Sequence, residues 1–273
     1  MKPLSYVNVL SLDVVVGAVS CSLLLGKIWG NMPSWYAVAL LGCVVWLIYT
    51  FDHLKDVYDR QTTPVTTRHK FHATHFKRLI LASLAVLFVS LYLLGRVDEK
   101  VLRLGSILLV LVAIYFITLH FLSSHARYHK ELVIAILYSA GVCIPPLAGS
   151  NGDITTYQVI HFTQLMGIAL GNLLCFSLYE YASDRNAGFP SITQILPSGS
   201  RKLMLSVFLA IQLVLCGVFY MSGFYPALQV IFASMILVLL VITRLDYRFQ
   251  SSGTFRLVGD AVFILPLIYV LID

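Results

Sequence analysis

Charged residues are scarce in this sequence: Asp, Glu, Lys and Arg make up 12% of its 273 residues, whereas 59% are hydrophobic. Soluble proteins typically contain about 25% charged and about 45 to 50% apolar residues. A soluble domain of this size could not bury so much apolar surface, so the composition predicts a membrane protein. The same composition excludes a disordered or collagen-like chain.

Paired cysteines are also lacking. The chain has five cysteines, widely separated and each inside an apolar run, and none forms a CxxC pair. This spacing excludes a disulfide framework and a cysteine-based metal or redox site. The sequence therefore predicts five buried, free thiols.

Basic residues are not gathered into a patch. The net charge is +6, but the Lys and Arg residues are spread through short connections between apolar segments. A nucleic-acid-binding protein concentrates them on one arm or face. We therefore expect no nucleic-acid partner, and the basic residues are informative about membrane topology instead.

Long apolar runs dominate what is present. About 17 to 25 apolar helical residues cross a bilayer core, and nine stretches have or approach this length. They cover residues 5–26, 35–51, 79–95, 104–122, 132–149, 157–179, 203–221, 226–243 and 256–272. The predicted fold is all-α, a polytopic bundle of nine transmembrane helices that forms a single membrane domain over residues 1–273. Because the first stretch contains Asp13 and lacks an A-x-A site, we expect it to be retained rather than cleaved as a signal peptide.

The basic residues predict the orientation of the bundle. With the N-terminus inside, fifteen Lys and Arg residues fall on the cytoplasmic side and only Lys27, Arg96, Lys100 and Arg103 fall outside. Cytoplasmic loops collect Lys and Arg, so this bias predicts a cytoplasmic N-terminus and an outer C-terminus. We expect a multi-pass protein of a bacterial inner (plasma) membrane.

Two connections, residues 52–78 and 180–202, are long and polar, and both are predicted to be cytoplasmic. They follow the second and the sixth apolar stretch, four spans apart. This layout indicates a pseudo-repeat in which each half of the chain contributes one wall of a shared site.

The first polar connection begins with three carboxylates, Asp52, Asp56 and Asp59. Their spacing of i, i+4 and i+7 places them in a narrow stripe on one helix face. Three like charges at a membrane boundary repel one another, which favours a cation between them. Mg²⁺ suits this role because it takes one or two carboxylates and completes its shell with water and phosphate oxygens. The alternative is a solvated helix end whose acids pair with the basic residues Lys55, Arg60 and Arg68.

The second polar connection begins with Glu180 and Asp184, spaced i and i+4. Asn172 lies two turns before Glu180 on the same helix face. Both acid-bearing helix ends are predicted at the cytoplasmic side, so they can face one another.

These features resemble the UbiA superfamily of intramembrane prenyltransferases. That family has nine helices and two aspartate-rich motifs on cytoplasmic loops after helices 2 and 6. The run from Asp52 to Arg60, followed by Thr66, Thr67 and Arg68, is similar to the first motif, and the run from Glu180 to Gly188 is similar to the second. Phe51 precedes Asp52 where the family has Asn-Asp, and the second motif retains a single Asp.

The resemblance implies magnesium-dependent transfer of a polyprenyl group from its diphosphate to a hydrophobic acceptor, aromatic or lipid, within the membrane. It implies that Mg²⁺ is held by the carboxylates Asp52, Asp56, Asp59, Glu180 and Asp184. It further implies that the cations Arg68, Lys70 and Arg185 neutralise the diphosphate. The remaining candidates for substrate contact are Asn172 and the aromatic residues Tyr49, Tyr138, Tyr179 and Tyr181, whose rings can shelter an allylic cation.

Two alternatives from other functional classes depend on particular residues. His69, His72 and His75 form an HxxHxxH run, as in a metal-dependent membrane oxygenase. This spacing fans across about 240° of a helix, too wide for one ion, so an interfacial segment that meets anionic groups is favoured. Asp13 and Asp260 lie inside predicted spans, as in a proton-coupled transporter.

Two further alternatives are closer to the favoured function. An alcohol phosphatidyltransferase also uses membrane-embedded aspartates. Its motif has four aspartates in one stretch, with glycine and arginine between them, and this sequence lacks that motif. A non-catalytic relative that binds isoprenoid lipid is compatible with the reduced second motif. It differs from an enzyme in that its two acidic helix ends need not face one another across an apolar cavity.

Overall fold

The computed structural model describes residues 3–59, 67–121, 129–149, 154–182, 191–197, 199–245 and 254–272. Within these ranges the regular secondary structure is helical, as predicted, and no strand is present. The helices, in chain order, are α1 (Pro3–Val9), α2 (Leu12–Ile28), α3 (Trp35–Asp59), α4 (Thr67–Thr74), α5 (Phe76–Leu94), α6 (Glu99–Phe121), α7 (Lys130–Ala148), α8 (Thr156–Tyr179), α9 (Ile192–Ile195), α10 (Arg201–Met221), α11 (Pro226–Arg244), α12 (Phe255–Ala261) and α13 (Pro266–Ile272), with a 3₁₀ turn at Val262–Ile264 between the last two.

Eight helical segments in the described part of the chain are long and apolar enough to cross a membrane, so the predicted count of nine is not confirmed. The difference lies in the first stretch, which divides into α1 and α2 because Ser11 has a left-handed backbone with φ of 56°. The remaining helix, α2, has 17 residues. At 1.5 Å per residue it is about 25 Å long, shorter than a hydrocarbon core of about 30 Å.

The bundle is organised around α8. Of its apolar segment, 56% is buried inside the protein, whereas the corresponding share of α6 is 11%. Helix α8 packs against α7, α10, α11 and α12, and α2 packs against α3, α7 and the C-terminal segment. The peripheral helix α6 presents most of its surface outward, as expected of a helix that faces lipid.

Gly171 allows α8 and α10 to approach closely. A Cβ atom at this position would lie 2.7 Å from the Leu209 side chain, which is fully buried. Small residues at membrane helix interfaces let backbones pack together and gain dispersion contacts. Gly217, by contrast, is exposed on α10 and has open space where its Cβ would be.

We expect Gly171→Ala to lower the midpoint of thermal unfolding and Gly217→Ala to leave it unchanged or raise it. Both changes gain about 1 kcal/mol of helix propensity, but only the first forces overpacking, which typically costs about 1 to 3 kcal/mol. Thermal unfolding of the purified variants in one detergent measures the difference. Equal midpoints would contradict the close packing of α8 on α10.

The C-terminal segment closes the bundle against α2 and α8. Its helix is interrupted by the 3₁₀ turn before Pro266, yet the whole segment Phe255–Ile272 remains long enough to span a membrane. A Cβ atom at Gly17 of α2 would lie 2.7 Å from the Cβ of Phe263, so these elements also pack closely. As a result, α2, α3, α7, α8 and α12 surround one cavity.

Candidate functional site

A cavity of about 80 Å³ lies inside the bundle among these five helices and the 3₁₀ turn. Its walls are mostly apolar and aromatic, with a few polar groups. The lining residues are Val14, Tyr49, Ile134, Tyr138, Ala169, Asn172, Leu173, Phe176, Arg256, Asp260 and Phe263. An apolar pocket with a few convergent polar groups is typical of a small-molecule site.

Helix α3 leads from this cavity to the first acidic cluster. Tyr49 lines the cavity, the side chain of Asp52 one turn further along α3 is exposed, and that of Asp56 two turns further along is half-buried. Both carboxylates lie near enough to the Tyr115 hydroxyl on α6 to act on it electrostatically, as does the buried Glu131 of α7. The first acidic cluster is therefore the continuation of one wall of the cavity.

Helix α8 leads from the same cavity to the second acidic cluster. Asn172 and Phe176 line the cavity, and Glu180 follows four residues later on the same helix face. The second and the sixth apolar stretches of the sequence form α3 and α8. As predicted, each of these helices contributes residues to the walls of the cavity.

Arg256 of α12 binds Glu180 at this end of the cavity. Its Nε donates to Glu180 Oε1 at 2.6 Å and its Nη2 donates to Glu180 Oε2, which makes the pair bidentate. The guanidinium also lies 5.1 Å from the centre of the Phe176 ring. Such paired hydrogen bonds hold an arginine in a fixed orientation.

Deeper in the bundle, four polar side chains from separate helices meet beside the cavity. Asn8 Nδ2 donates to Asp13 Oδ2 at 2.6 Å and lies 3.4 Å from Asp260 Oδ2. Asn172 Nδ2 lies 3.5 Å from Asp260 Oδ1. Asp13 and Asp260 are 2% and 7% exposed, so both predicted intramembrane acids are inside the protein and are linked through Asn8.

Two buried polar atoms on the cavity residues, the Tyr138 hydroxyl and Asn172 Oδ1, have no hydrogen-bond partner among the residues that the structure describes. The Tyr138 hydroxyl is within electrostatic reach of Asp260 and of Tyr49. Asn172 fits against α12 because residue 259 is glycine, where a Cβ atom would lie 2.6 Å from Asn172 Oδ1. Unsatisfied buried polar atoms are rare in native proteins and point to a missing partner.

Tyr179 and Tyr181, both predicted to contact substrate, have partners within the protein. The Tyr179 hydroxyl donates to the Ile242 carbonyl at 2.6 Å, and its ring stacks on Phe255 with centroids 4.6 Å apart. The guanidinium of Arg201 lies 3.8 Å above the Tyr181 ring. The Tyr179 side chain therefore packs α8 against α11 and α12.

Several predicted site residues lie outside what the structure describes. Asp184 and Arg185 fall outside the described residues, as do the side chains of Asp59 and Arg68. Lys70 is exposed on α4. The predicted approach of Asp52 or Asp56 to Asp184 therefore stays a prediction.

The histidine-rich segment packs onto the bundle through α4. His72 is 1% exposed, and its ring meets that of His53 on α3 edge to face with centroids 4.9 Å apart. Phe71 packs in the same manner against Tyr6 of α1, at 6.0 Å. The predicted interfacial role does not apply to His72, because its side chain is buried inside the protein.

Arg256 is the site residue that the sequence interpretation missed. In the sequence it is one of the fifteen basic residues that predict the cytoplasmic side. Its position four residues before Asp260 places both on one helix face, and this spacing was the available signal.

The acidic end of α3 has the donor chemistry that Mg²⁺ requires. Asp52 and Asp56 supply carboxylate oxygens one turn apart, at the end of a helix that lines the cavity. Among the described residues, no three His, Cys, Asp or Glu side chains are grouped closely enough to hold an ion. Mg²⁺ does not need three, because one or two carboxylates with water and phosphate oxygens complete its shell. The residues present therefore fit a magnesium ion that is bound together with a phosphate ligand.

Together the helices and this cavity define an α-helical, multi-pass integral membrane protein with an internal cavity. No protein-family model and no curated protein sequence matches the chain.

Solved structures do match its fold. A UbiA homolog from Archaeoglobus fulgidus bound to GPP and Mg²⁺ has 13% sequence identity and a TM-score of 0.62, over 97% of this chain and 99% of that one. The apo structure of a UbiA homolog from Aeropyrum pernix K1 has 12% identity and a TM-score of 0.64, over 93% and 97% of the two chains. The Archaeoglobus protein bound to DMAPP and Mg²⁺ gives 13% identity and a TM-score of 0.61. The resemblance to the UbiA superfamily is thus confirmed at the level of the fold.

Proposed function

We propose that this protein transfers a polyprenyl group from a prenyl diphosphate to a hydrophobic acceptor within the membrane, with Mg²⁺ as cofactor, and that residues 1–273 form a single UbiA-like prenyltransferase domain. One observation carries the proposal: α3 and α8 both line the same largely apolar cavity, and each helix continues from it to an acid-bearing end. The UbiA homologs bound to GPP or DMAPP with Mg²⁺ share this fold and support the same substrate class.

In the proposed reaction, the bond between C1 of the prenyl group and the diphosphate oxygen breaks. The diphosphate leaves with the electron pair, C1 bonds to the acceptor, and the acceptor loses a proton. When bound, Mg²⁺ would neutralise charge on the departing diphosphate. The proposed ligands are Asp52, Asp56, Asp59, Glu180 and Asp184, and the proposed diphosphate-binding cations are Arg68, Lys70 and Arg185.

The cavity walls would protect the cationic centre. Tyr49, Tyr138 and Phe176 line the cavity, and aromatic faces attract cations electrostatically. The other lining side chains are largely apolar, so they would exclude water that could otherwise capture the cation. Asn172 would contact substrate from α8, where it is 4% exposed.

The transfer is tested directly with purified protein in lipid nanodiscs. Radiolabelled geranyl diphosphate is incubated with a membrane lipid extract as acceptor source, with and without Mg²⁺, and lipid products are identified by mass spectrometry. We expect a product heavier than its acceptor by one geranyl group, and only when Mg²⁺ is present. Mg²⁺-independent binding of the diphosphate with no product from any acceptor would favour the non-catalytic lipid-binding relative.

We further propose that the N-terminus and both acidic helix ends are cytoplasmic, in a bacterial inner membrane. Reporter fusions after Arg68 and after Asn151 test the orientation, because the basic residues predict opposite sides for these positions. We expect a cytoplasmic signal at the first and an outer signal at the second. The same signal at both positions would refute the orientation.

A further inference from the structure

Helices α4 and α5 form an almost continuous helix that leads from the histidine-rich segment into the membrane. His75 is the single residue between them, and it continues the helical hydrogen-bond pattern. Its N–H donates to the Phe71 carbonyl, and its carbonyl accepts from the Leu79 N–H, both at 2.9 Å. Residues three, four and seven positions apart therefore lie on one face across the junction.

One face of this continuous helix packs on the bundle. The buried His72 ring of α4 meets the His53 ring of α3. Leu79, seven residues after His72, is also buried, and α5 packs against α3. The buried face of α4 therefore continues along α5, and the opposite face of both helices is turned outward.

The outward face changes from basic to apolar within one turn. Lys70, Lys77 and Arg78 are exposed. Leu81 follows Lys77 by four residues and is 70% exposed, and Phe88, two turns further on, is 71% exposed. Because α5 is long and apolar enough to cross a membrane, Leu81 and Phe88 face lipid and the cations lie at the edge of the bilayer.

The direction of the side chains carries the charges of Lys77 and Arg78 toward the lipid headgroups. In an α-helix the Cα–Cβ bonds tilt toward the N-terminus, and the N-terminus of α5 is its end at the membrane edge. Long basic side chains lay their stems on apolar surface and keep their charged ends in polar surroundings. The ammonium and guanidinium groups therefore reach the level of the lipid phosphates.

No acidic residue neutralises these cations locally. Residues 67–78 contain four Lys and Arg residues and no Asp or Glu. In the part of the chain that the structure describes, Lys70, Lys77 and Arg78 form no ion pair. A basic cluster of this size directly before a membrane helix is typical of segments that bind anionic lipids.

We propose that Lys77 and Arg78, here called the basic surface, dock the headgroup of an anionic phospholipid whose acyl chains lie along Leu81 and Phe88. An acidic protein segment fits less well, because the cations lie one turn from side chains that face lipid. A zwitterionic phospholipid carries its own positive group, so two unneutralised cations favour a headgroup with net negative charge. Lys70 is proposed above to bind diphosphate and is not counted in the basic surface.

Native mass spectrometry of the purified protein in detergent tests the basic surface without any catalysis. Phosphatidylglycerol and phosphatidylcholine with identical acyl chains are titrated separately, and the dissociation constant of the first bound lipid is measured. The test variant is Lys77→Gln/Arg78→Gln. The control variant, Arg96→Gln/Arg103→Gln, removes the same number of exposed cations beyond the other end of α5, where two acidic residues lie between them.

We expect phosphatidylglycerol to bind the wild-type protein at least about tenfold more tightly than phosphatidylcholine does. The test variant should lose about tenfold to thirtyfold in affinity for phosphatidylglycerol, because each cation near a lipid surface contributes about a factor of five. Its affinity for phosphatidylcholine should not change, and the control variant should bind both lipids as the wild-type protein does. Equal unfolding midpoints without added lipid confirm that the variants are folded.

Equal affinity of the wild-type protein for the two lipids would overturn the proposal, as would an unchanged affinity of the test variant for phosphatidylglycerol. An equal loss in the control variant would also overturn it, because binding would then follow net charge rather than the basic surface. Geranyl diphosphate without Mg²⁺ should not displace bound phosphatidylglycerol, and displacement would assign the surface to the prenyl donor instead. None of these measurements involves prenyl transfer, so failure of the proposed function leaves the lipid surface standing.

Discussion

Replacing Asp56 with asparagine is expected to lower prenyl transfer at least about a hundredfold while the protein stays folded. The carboxylate is half-buried at the end of α3, beside the wall of the cavity. Asparagine keeps its volume but removes the charge that would hold Mg²⁺, and such metal interactions supply several kcal/mol of transition-state stabilisation. The rate of product formation, measured at saturating geranyl diphosphate, gives the effect.

Asp98→Asn is the matched control, since Asp98 is exposed at the start of α6, at the other end of the bundle. It should have wild-type activity. Excess Mg²⁺ should partly restore Asp56→Asn but not Arg68→Ala, whose expected defect is weaker diphosphate binding. An Asp56→Asn protein with full activity would exclude a metal role for Asp56.

The second large effect is expected at Glu180 and Arg256. Glu180→Gln and Arg256→Gln should each lower kcat/KM at least about tenfold, because either change breaks a bidentate pair and leaves its partner charge without that contact. The double variant should be no worse than the more damaging single variant. Residues that act as one unit show this non-additivity.

A double-mutant cycle on kcat/KM and on the unfolding midpoint measures the coupling. If the two single losses in kcat/KM multiply in the double variant, Glu180 and Arg256 do not act as one unit. A higher Mg²⁺ requirement in Glu180→Gln but not in Arg256→Gln would show that Glu180 also serves the metal, as its place in the second acidic motif predicts. The conservative variant Arg256→Lys should recover little, because lysine cannot form the bidentate contact.

The helical bundle was predictable because lipid leaves few choices for a backbone. Every backbone N–H and C=O group must be satisfied within the membrane, so long apolar runs such as residues 226–243 become helices. The break at Ser11 was not predictable from hydropathy, since residues 5–26 form one apolar run and a single backbone conformation divides it. The membrane-segment count differs for that reason.

The candidate site was predictable where the information is local. Spacing along one helix places Asp52 with Asp56 and Asn172 with Glu180, and α3 and α8 do bring these faces to a common cavity. The partners across distant helices were not predictable, because no local pattern relates Glu180 to Arg256 or Asn8 to Asp260. These contacts depend on how the last helix packs against α2 and α8.

The central claim is that the acidic helix ends hold a divalent ion against a diphosphate at the cavity, and one measurement tests it most directly. Mn²⁺ replaces Mg²⁺, and the protein is loaded with geranyl thiodiphosphate, which ionises very slowly. Electron–nuclear double resonance then reports whether the bound Mn²⁺ is coupled to the phosphorus nuclei. We predict a ³¹P coupling in the wild-type and Asp98→Asn proteins that is lost or strongly reduced in Asp56→Asn. Binding of the thiodiphosphate with no ³¹P coupling in the wild-type protein, or an unchanged coupling in Asp56→Asn, would contradict the claim.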